Sequence, residues 1–216
     1  VLFRSDRIDL LCRSTLDALV HSGLLFDDSA VVDLVATRRP VAVSPNQEPG
    51  VHVVIIPGEL FTGETQKALD AWLAHTDTIA IRVVPEVPRT EPDKKSTGES
   101  RVGEWKSAVK RSFANESLGE QITLVADLTL PVWLEPEGVY YPLVNGRDID
   151  KIAKSTALAL SGKEGPDVVD LVASKRLGET GFGRISVLPG PALTARTIQQ
   201  LLGTYQGPRA NWSAVA

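Results

Sequence analysis

Methionine is absent from all 216 residues, position 1 included, and cysteine occurs once, at Cys12. A single thiol excludes an internal disulfide and fits a reducing compartment such as the cytoplasm. The three histidines, His21, His52 and His75, are scattered, and no His/Cys grouping has zinc spacing, which argues against a structural zinc site. No apolar run approaches the roughly 18 residues of a membrane span, so no membrane partner is expected. The opening residues lack the basic-then-apolar order of a secretory signal. Positive charge is also scarce. Lys plus Arg number 23 against 27 Asp plus Glu, a net charge of −4. Phosphate neutralisation supplies most nucleic-acid affinity, so any such contact must rest on a local patch. The missing Met, and a start just ahead of a motif, lead to the expectation that the natural beginning lies upstream. Val1-Leu2-Phe3-Arg4-Ser5 is expected to carry no structural information.

What is present is an imperfect repeat. Residues 7–19, Arg-Ile-Asp-Leu-Leu-Cys-Arg-Ser-Thr-Leu-Asp-Ala-Leu, match 148–160, Asp-Ile-Asp-Lys-Ile-Ala-Lys-Ser-Thr-Ala-Leu-Ala-Leu. Val31–Arg38 matches Val168–Lys175. Pro57-Gly58 matches Pro189-Gly190, and Thr62 and Thr65 match Thr194 and Thr197. Three colinear blocks divide the chain into residues 1–76, a copy without its front half, and residues 77–216, a complete copy.

Periodicity supplies the elements. Trp105, Ala108, Val109, Ser112 and Phe113 recur at helical spacing within 104–115. Ile149, Ile152, Ala153, Thr156, Ala157 and Leu160 do so in the second copy, and Ile8, Leu11, Cys12, Thr15, Leu16 and Leu19 in the first. Residues 121–130 alternate, which predicts a half-buried strand. Runs at 167–174 and 184–188 predict an antiparallel strand pair, with counterparts at 31–37 and 51–56. Helices are expected at 62–75 and 194–205. The second copy then reads β-α-β-α-β-β-α. The fold class is α+β: two small mixed-sheet units in tandem, helices packed on the sheet.

The copies keep different acidic residues. The first has Asp9, Asp17, Asp27 and Asp28; the second has Asp148 and Asp150. Carboxylates converging from a helix start and a loop make the oxygen-rich site that Mg²⁺ prefers. Such a site can activate water and clamp a phosphodiester, with Arg13 or Lys154 neutralising phosphate charge. Lys94, Lys95, Arg101 and Lys106 belong to one basic stretch, a candidate DNA contact. Each piece also has an ordinary reading. Asp27-Asp28-Ser29 is a solvated turn, Asp9–Arg13–Asp17 a surface ion-pair row, and the basic stretch a solvated face.

Taken together, Asp-x-Asp, a basic residue four further on, Leu-Asp-Ala-Leu and Asp-Asp-Ser-x-Val-Val-Asp resemble RusA-type Holliday junction resolvases. The spacing from Asp9 to Asp28 matches that between the family's second and third metal-binding aspartates. The resemblance covers residues 8–58 and about 79–190. It implies a small α/β fold, a homodimer or a dimer-like pairing of the two copies, and Mg²⁺-dependent nicking of four-way DNA in recombination and repair. By this resemblance the metal ligands are Asp9, Asp28 and the adjacent Asp27 in the first copy, and Asp148 and Asp150 in the second. The family's lysine falls on Arg13 and Lys154. Its first aspartate falls on Arg7 in the first copy, and its third on the shortened loop 163–166 in the second. The alternative is a non-catalytic branched-DNA-binding or dimerisation module, a degenerate remnant of the same fold.

Overall fold

The alternating run at 121–130 becomes the middle strand of a five-stranded mixed sheet, seen in a computed structural model that describes residues 7–39, 51–85, 99–131, 148–161, 165–205 and 210–214. The order is α1 (Ile8–His21), a 3-10 turn (Asp28–Ala30), β1 (Asp33–Thr37), β2 (Val51–Ile55), α2 (Gly63–His75), β3 (Ala80–Val84), α3 (Glu99–Ser112), β4 (Gln121–Pro131), α4 (Ile149–Ser161), β5 (Asp167–Gly178), β6 (Phe182–Pro189), α5 (Ala195–Thr204) and β7 (Ala210–Ala214). From β3 to α5 this is the predicted β-α-β-α-β-β-α. The protein is an α+β fold with helices on the sheet.

Two cores sandwich the sheet. On one face Ile122, Leu124, Ala126 and Leu128 of β4 meet Ile8 and Cys12 of α1, Trp105 and Val109 of α3, and Ile152 and Ala153 of α4. Successive strand residues point to opposite faces. Val125, Val172 and Leu188 therefore meet Leu69 and Leu73 of α2 and Leu201 of α5 on the other. This corrects the half-buried reading of β4. Thr123, on its polar-looking face, is 0% exposed. Its Oγ1 donates to the Gly190 carbonyl (2.8 Å) and accepts from the Ala192 N–H (2.9 Å). A buried hydroxyl satisfied in this way costs little.

The strand order, β1-β5-β4-β6-β3, also corrects the expected antiparallel pairing of 167–174 with 184–188. β4 lies between β5 and β6, parallel to the first and antiparallel to the second. Residues 179–181 link β5 to β6, and a link that short usually closes a hairpin. It reaches across one intervening strand, about 10 Å, when extended. Their counterparts do not pair with each other either. β2 pairs antiparallel with β7 in a separate two-stranded sheet, while β1 lies on the edge of the main sheet.

β1 joins β5, its own counterpart in the repeat, and the register is reciprocal: Asp33 faces Ser174, Val35 faces Val172, and Thr37 faces Asp170. A local pseudo-two-fold axis therefore passes between Val35 and Val172. The polar contacts obey it. Arg176 donates to Asp33 (2.8 Å), and Arg39, at the matching position, donates to Asp170. Asp33 accepts from the Phe61 N–H (3.1 Å), and Asp170 from the Leu193 N–H (2.8 Å). The Arg38 N–H meets the Val169 carbonyl (2.8 Å), and the Lys175 N–H meets the Val32 carbonyl (2.9 Å). Matching helices pack together too, α1 on α4 and α2 on α5. This is the geometry of an isologous interface within one chain.

Candidate metal centre

Asp27 and Asp28 follow α1 and enter the 3-10 turn. Asp27 caps it, its Oδ1 accepting the Ser29 N–H at 2.8 Å. Lys175, buried in β5, anchors the turn by donating from Nζ to the Ser29 carbonyl at 2.8 Å. Asp148 precedes α4. Its carbonyl accepts the Ile152 N–H at 3.1 Å, which places it at the helix N-cap, where a negative charge is favoured. Asp27, Asp28 and Asp148 each present a carboxylate oxygen within 4.8 Å of the others. The cluster could hold a metal ion. It joins the Asp-Asp end kept by one copy to the first aspartate kept by the other.

Asp150 deepens the cluster. It is 3% exposed, and its Oδ1 has no hydrogen-bond partner among the described residues. Burial pushes its carboxyl above the ordinary range, and the charges of Asp148 and then Asp28 push the same way. Asp28 is raised too, by burial first and Asp148 second. Asp27, exposed and held by hydrogen bonds to Ser29, is lowered. Lys151, one turn along α4, donates to Asp148, and that bond raises its ammonium's pKa. An anionic pocket with Lys151 at its rim and an orphaned buried carboxylate oxygen among the described residues has negative charge to spare. All its donors are hard oxygens, which suits a divalent cation of the Mg²⁺ or Ca²⁺ kind.

The other predicted residues are placed differently. The side chain of Asp9 and that of Arg101 lie outside the described residues, as do Lys94 and Lys95 entirely. Arg13 is exposed and pairs with Asp17 at 3.7 Å; the charge of Asp17 is in turn felt by Asp28. Lys154 is half-buried on α4. Lys106, also half-buried, borders a groove with Lys110 and Phe113 on the α3 side. Two residues were missed. Lys151 stands three after Asp148 in the sequence, a helical neighbour of it. Lys175 carried no sequence signal, since its place inside a strand gives no hint of the turn it reaches.

No protein-family model matches this chain, and neither a curated protein nor a solved structure does. Among the described residues, no helix is long and apolar enough to cross a membrane.

Proposed function

We propose that the protein is a Mg²⁺-dependent endodeoxyribonuclease that nicks branched DNA, four-way junctions in particular, with its two repeats arranged in tandem as the halves of a resolvase dimer. The observation that carries this reading is the meeting of Asp27 and Asp28 with Asp148 across the pseudo-two-fold, beside a buried Asp150 that feels the charges of Asp148 and Asp28. Residues some 120 positions apart in sequence, singled out as parts of one acidic site, lie at one place. Asp28, Asp148 and Asp150 would hold the cation, with Asp27 beside them. A cation there would lower the pKa of a bound water and neutralise charge on the scissile phosphate. Lys151 offers a further positive charge to a phosphate oxygen when it lets go of Asp148. Lys175 fixes the turn that carries Asp27 and Asp28.

The test is cleavage of a synthetic four-way junction in Mg²⁺. Asp28→Asn and Asp148→Asn should each slow it by about 100-fold or more, because a hard cation needs charged oxygen ligands. Cleavage unchanged in both variants would overturn the assignment. One observation favours a second reading, a branched-DNA-binding module without catalysis: Lys151 already neutralises Asp148. Junction binding in a gel-shift assay, with no cleavage in Mg²⁺ or Mn²⁺, would establish that reading instead.

A further inference from the structure

We infer that Lys151 is the cluster's built-in counter-ion: its ammonium and a divalent cation compete for the carboxylate of Asp148, so that metal entry displaces the lysine; this rests on the metal centre of the reading above. The place of Lys151 is an unusual one for a lysine. With Asp148 at the N-cap, Lys151 is the third residue of α4. The capping box gives that position to Glu or Gln, and the helix dipole opposes a positive charge there. The carboxylates offset that opposition. Lys151 Nζ donates to Asp148 Oδ2, and its charge is felt at Asp27, Asp28 and Asp150 as well. This ammonium thus faces the three residues whose oxygens lie within 4.8 Å of one another, and the buried Asp150 beside them.

The pair is suited to exchange. The Asp148 side chain is 6% exposed, and that of Lys151 is 41% exposed. The carboxylate is therefore fixed in the protein, whereas the long lysine stem can carry its charged head into water. An ammonium brings one charge and three N–H donors to such a cluster. A divalent cation brings two charges and takes several oxygens at once. Asp150 supplies the reason for the metal to win. Its buried Oδ1 has no hydrogen-bond partner among the described residues, so the bond from Lys151 to Asp148 leaves that oxygen unsatisfied. A cation held by Asp28, Asp148 and Asp150 would satisfy it, and would repel a second positive charge from Asp148. The neutralising lysine is then compatible with a working site, because the same metal that completes the site releases it.

Calorimetric titration of the full chain with Mn²⁺ tests this. Lys151→Met and Lys151→Gln, which remove the competing charge, should each bind Mn²⁺ about tenfold more tightly than the parent. Lys151→Arg, which keeps the charge, should bind within about threefold of the parent. Binding tightened by less than about twofold in both neutral variants, or weakened in both, would overturn the counter-ion role and leave an ordinary helix-end ion pair. Lys151→Arg binding as tightly as the neutral variants would overturn it too. Cleavage of the four-way junction by the parent keeps such a failure apart from that of the nuclease reading. Tighter Mn²⁺ binding in the neutral variants, with no cleavage by the parent, would uphold the exchange and overturn the nuclease. No Mn²⁺ binding and no cleavage by the parent would overturn both.

Discussion

Around Val35 and Val172 the two repeats are close to interchangeable; at the starts of α1 and α4 they are not. The first region holds reciprocal arginine–aspartate pairs, matching backbone bonds and a symmetric strand register. The second sets Asp148 and Lys151 against Arg7 and Leu10, while Asp150 is matched by Asp9. The difference shows which features the fold requires in duplicate. A buried charge must be paired wherever it occurs, because one left alone destabilises by several kcal/mol. A cluster of carboxylates faces no such demand. Arg7 and Leu10 replace both members of the Asp148–Lys151 ion pair together, so no partner of that pair is stranded. Symmetry therefore persists where packing enforces it and lapses where only chemistry would.

The largest expected effect lies at the symmetric region. Asp170 is fully buried, and the Asp33 side chain is 4% exposed. Arg39→Ala and Arg176→Ala should each lower stability by about 3 kcal/mol, by stranding the facing carboxylate. In a chain of this size that is about 6–12 °C in melting temperature. Near-equal losses would mark the two pairs as energetic equivalents. A loss under about 0.5 kcal/mol for either, measured by urea denaturation, would break the comparison, leaving the pseudo-two-fold a matter of strand register alone.

Such pairs also show what the sequence could and could not reveal. The stripes of α1 and α4 and the order of elements from β3 to α5 were legible, because helical and strand periodicities are properties of one segment at a time. Neighbour relations are not. The alternation of β4 does not say that it will separate β5 from β6. Nor do its polar positions reveal burial, because the partners of Thr123, Gly190 and Ala192, lie some 70 residues away. The acidic residues were legible as two partial sets. That Asp27 and Asp28 join Asp148 rather than a site within their own copy follows only from the antiparallel joining of β1 to β5, which brings the end of one repeat's helix–loop unit to the start of the other's.

A smaller effect is expected at the start of α4. The raised carboxyl of Asp150 means that the folded protein holds a proton there to higher pH than the unfolded chain does. The stability it contributes is fully present below the ordinary carboxylate range and is lost as pH rises through the raised value. Without metal, Asp150→Asn should therefore stabilise the protein at neutral pH, by about 1–2 kcal/mol, and flatten the decline in melting temperature above the acidic range. Mg²⁺ should raise the melting temperature of the parent protein and leave that of the variant unmoved. A variant less stable than the parent at neutral pH would mean that Asp150 is a structural carboxylate rather than a strained ligand.

The smallest effect concerns Arg13, which the resemblance to resolvases made a catalytic candidate and the structure pairs with Asp17 on an exposed helix face. Its counterpart pair in the second copy is Lys154 with Leu158, so no matching ion pair exists there. An exposed i,i+4 pair is worth about 0.3–0.5 kcal/mol, and Arg13→Ala should change stability by no more than that. Against this small background a functional role would stand out. Asp17 sits close enough to influence Asp28, so a guanidinium released from Asp17 could answer a phosphate at the cluster's edge. Junction cleavage reduced about tenfold or more in Arg13→Ala, and restored in part by Arg13→Lys, would make Arg13 part of the site. Cleavage within twofold of the parent would leave Arg13 a surface residue and the cation role to Lys151 or Lys154 on α4.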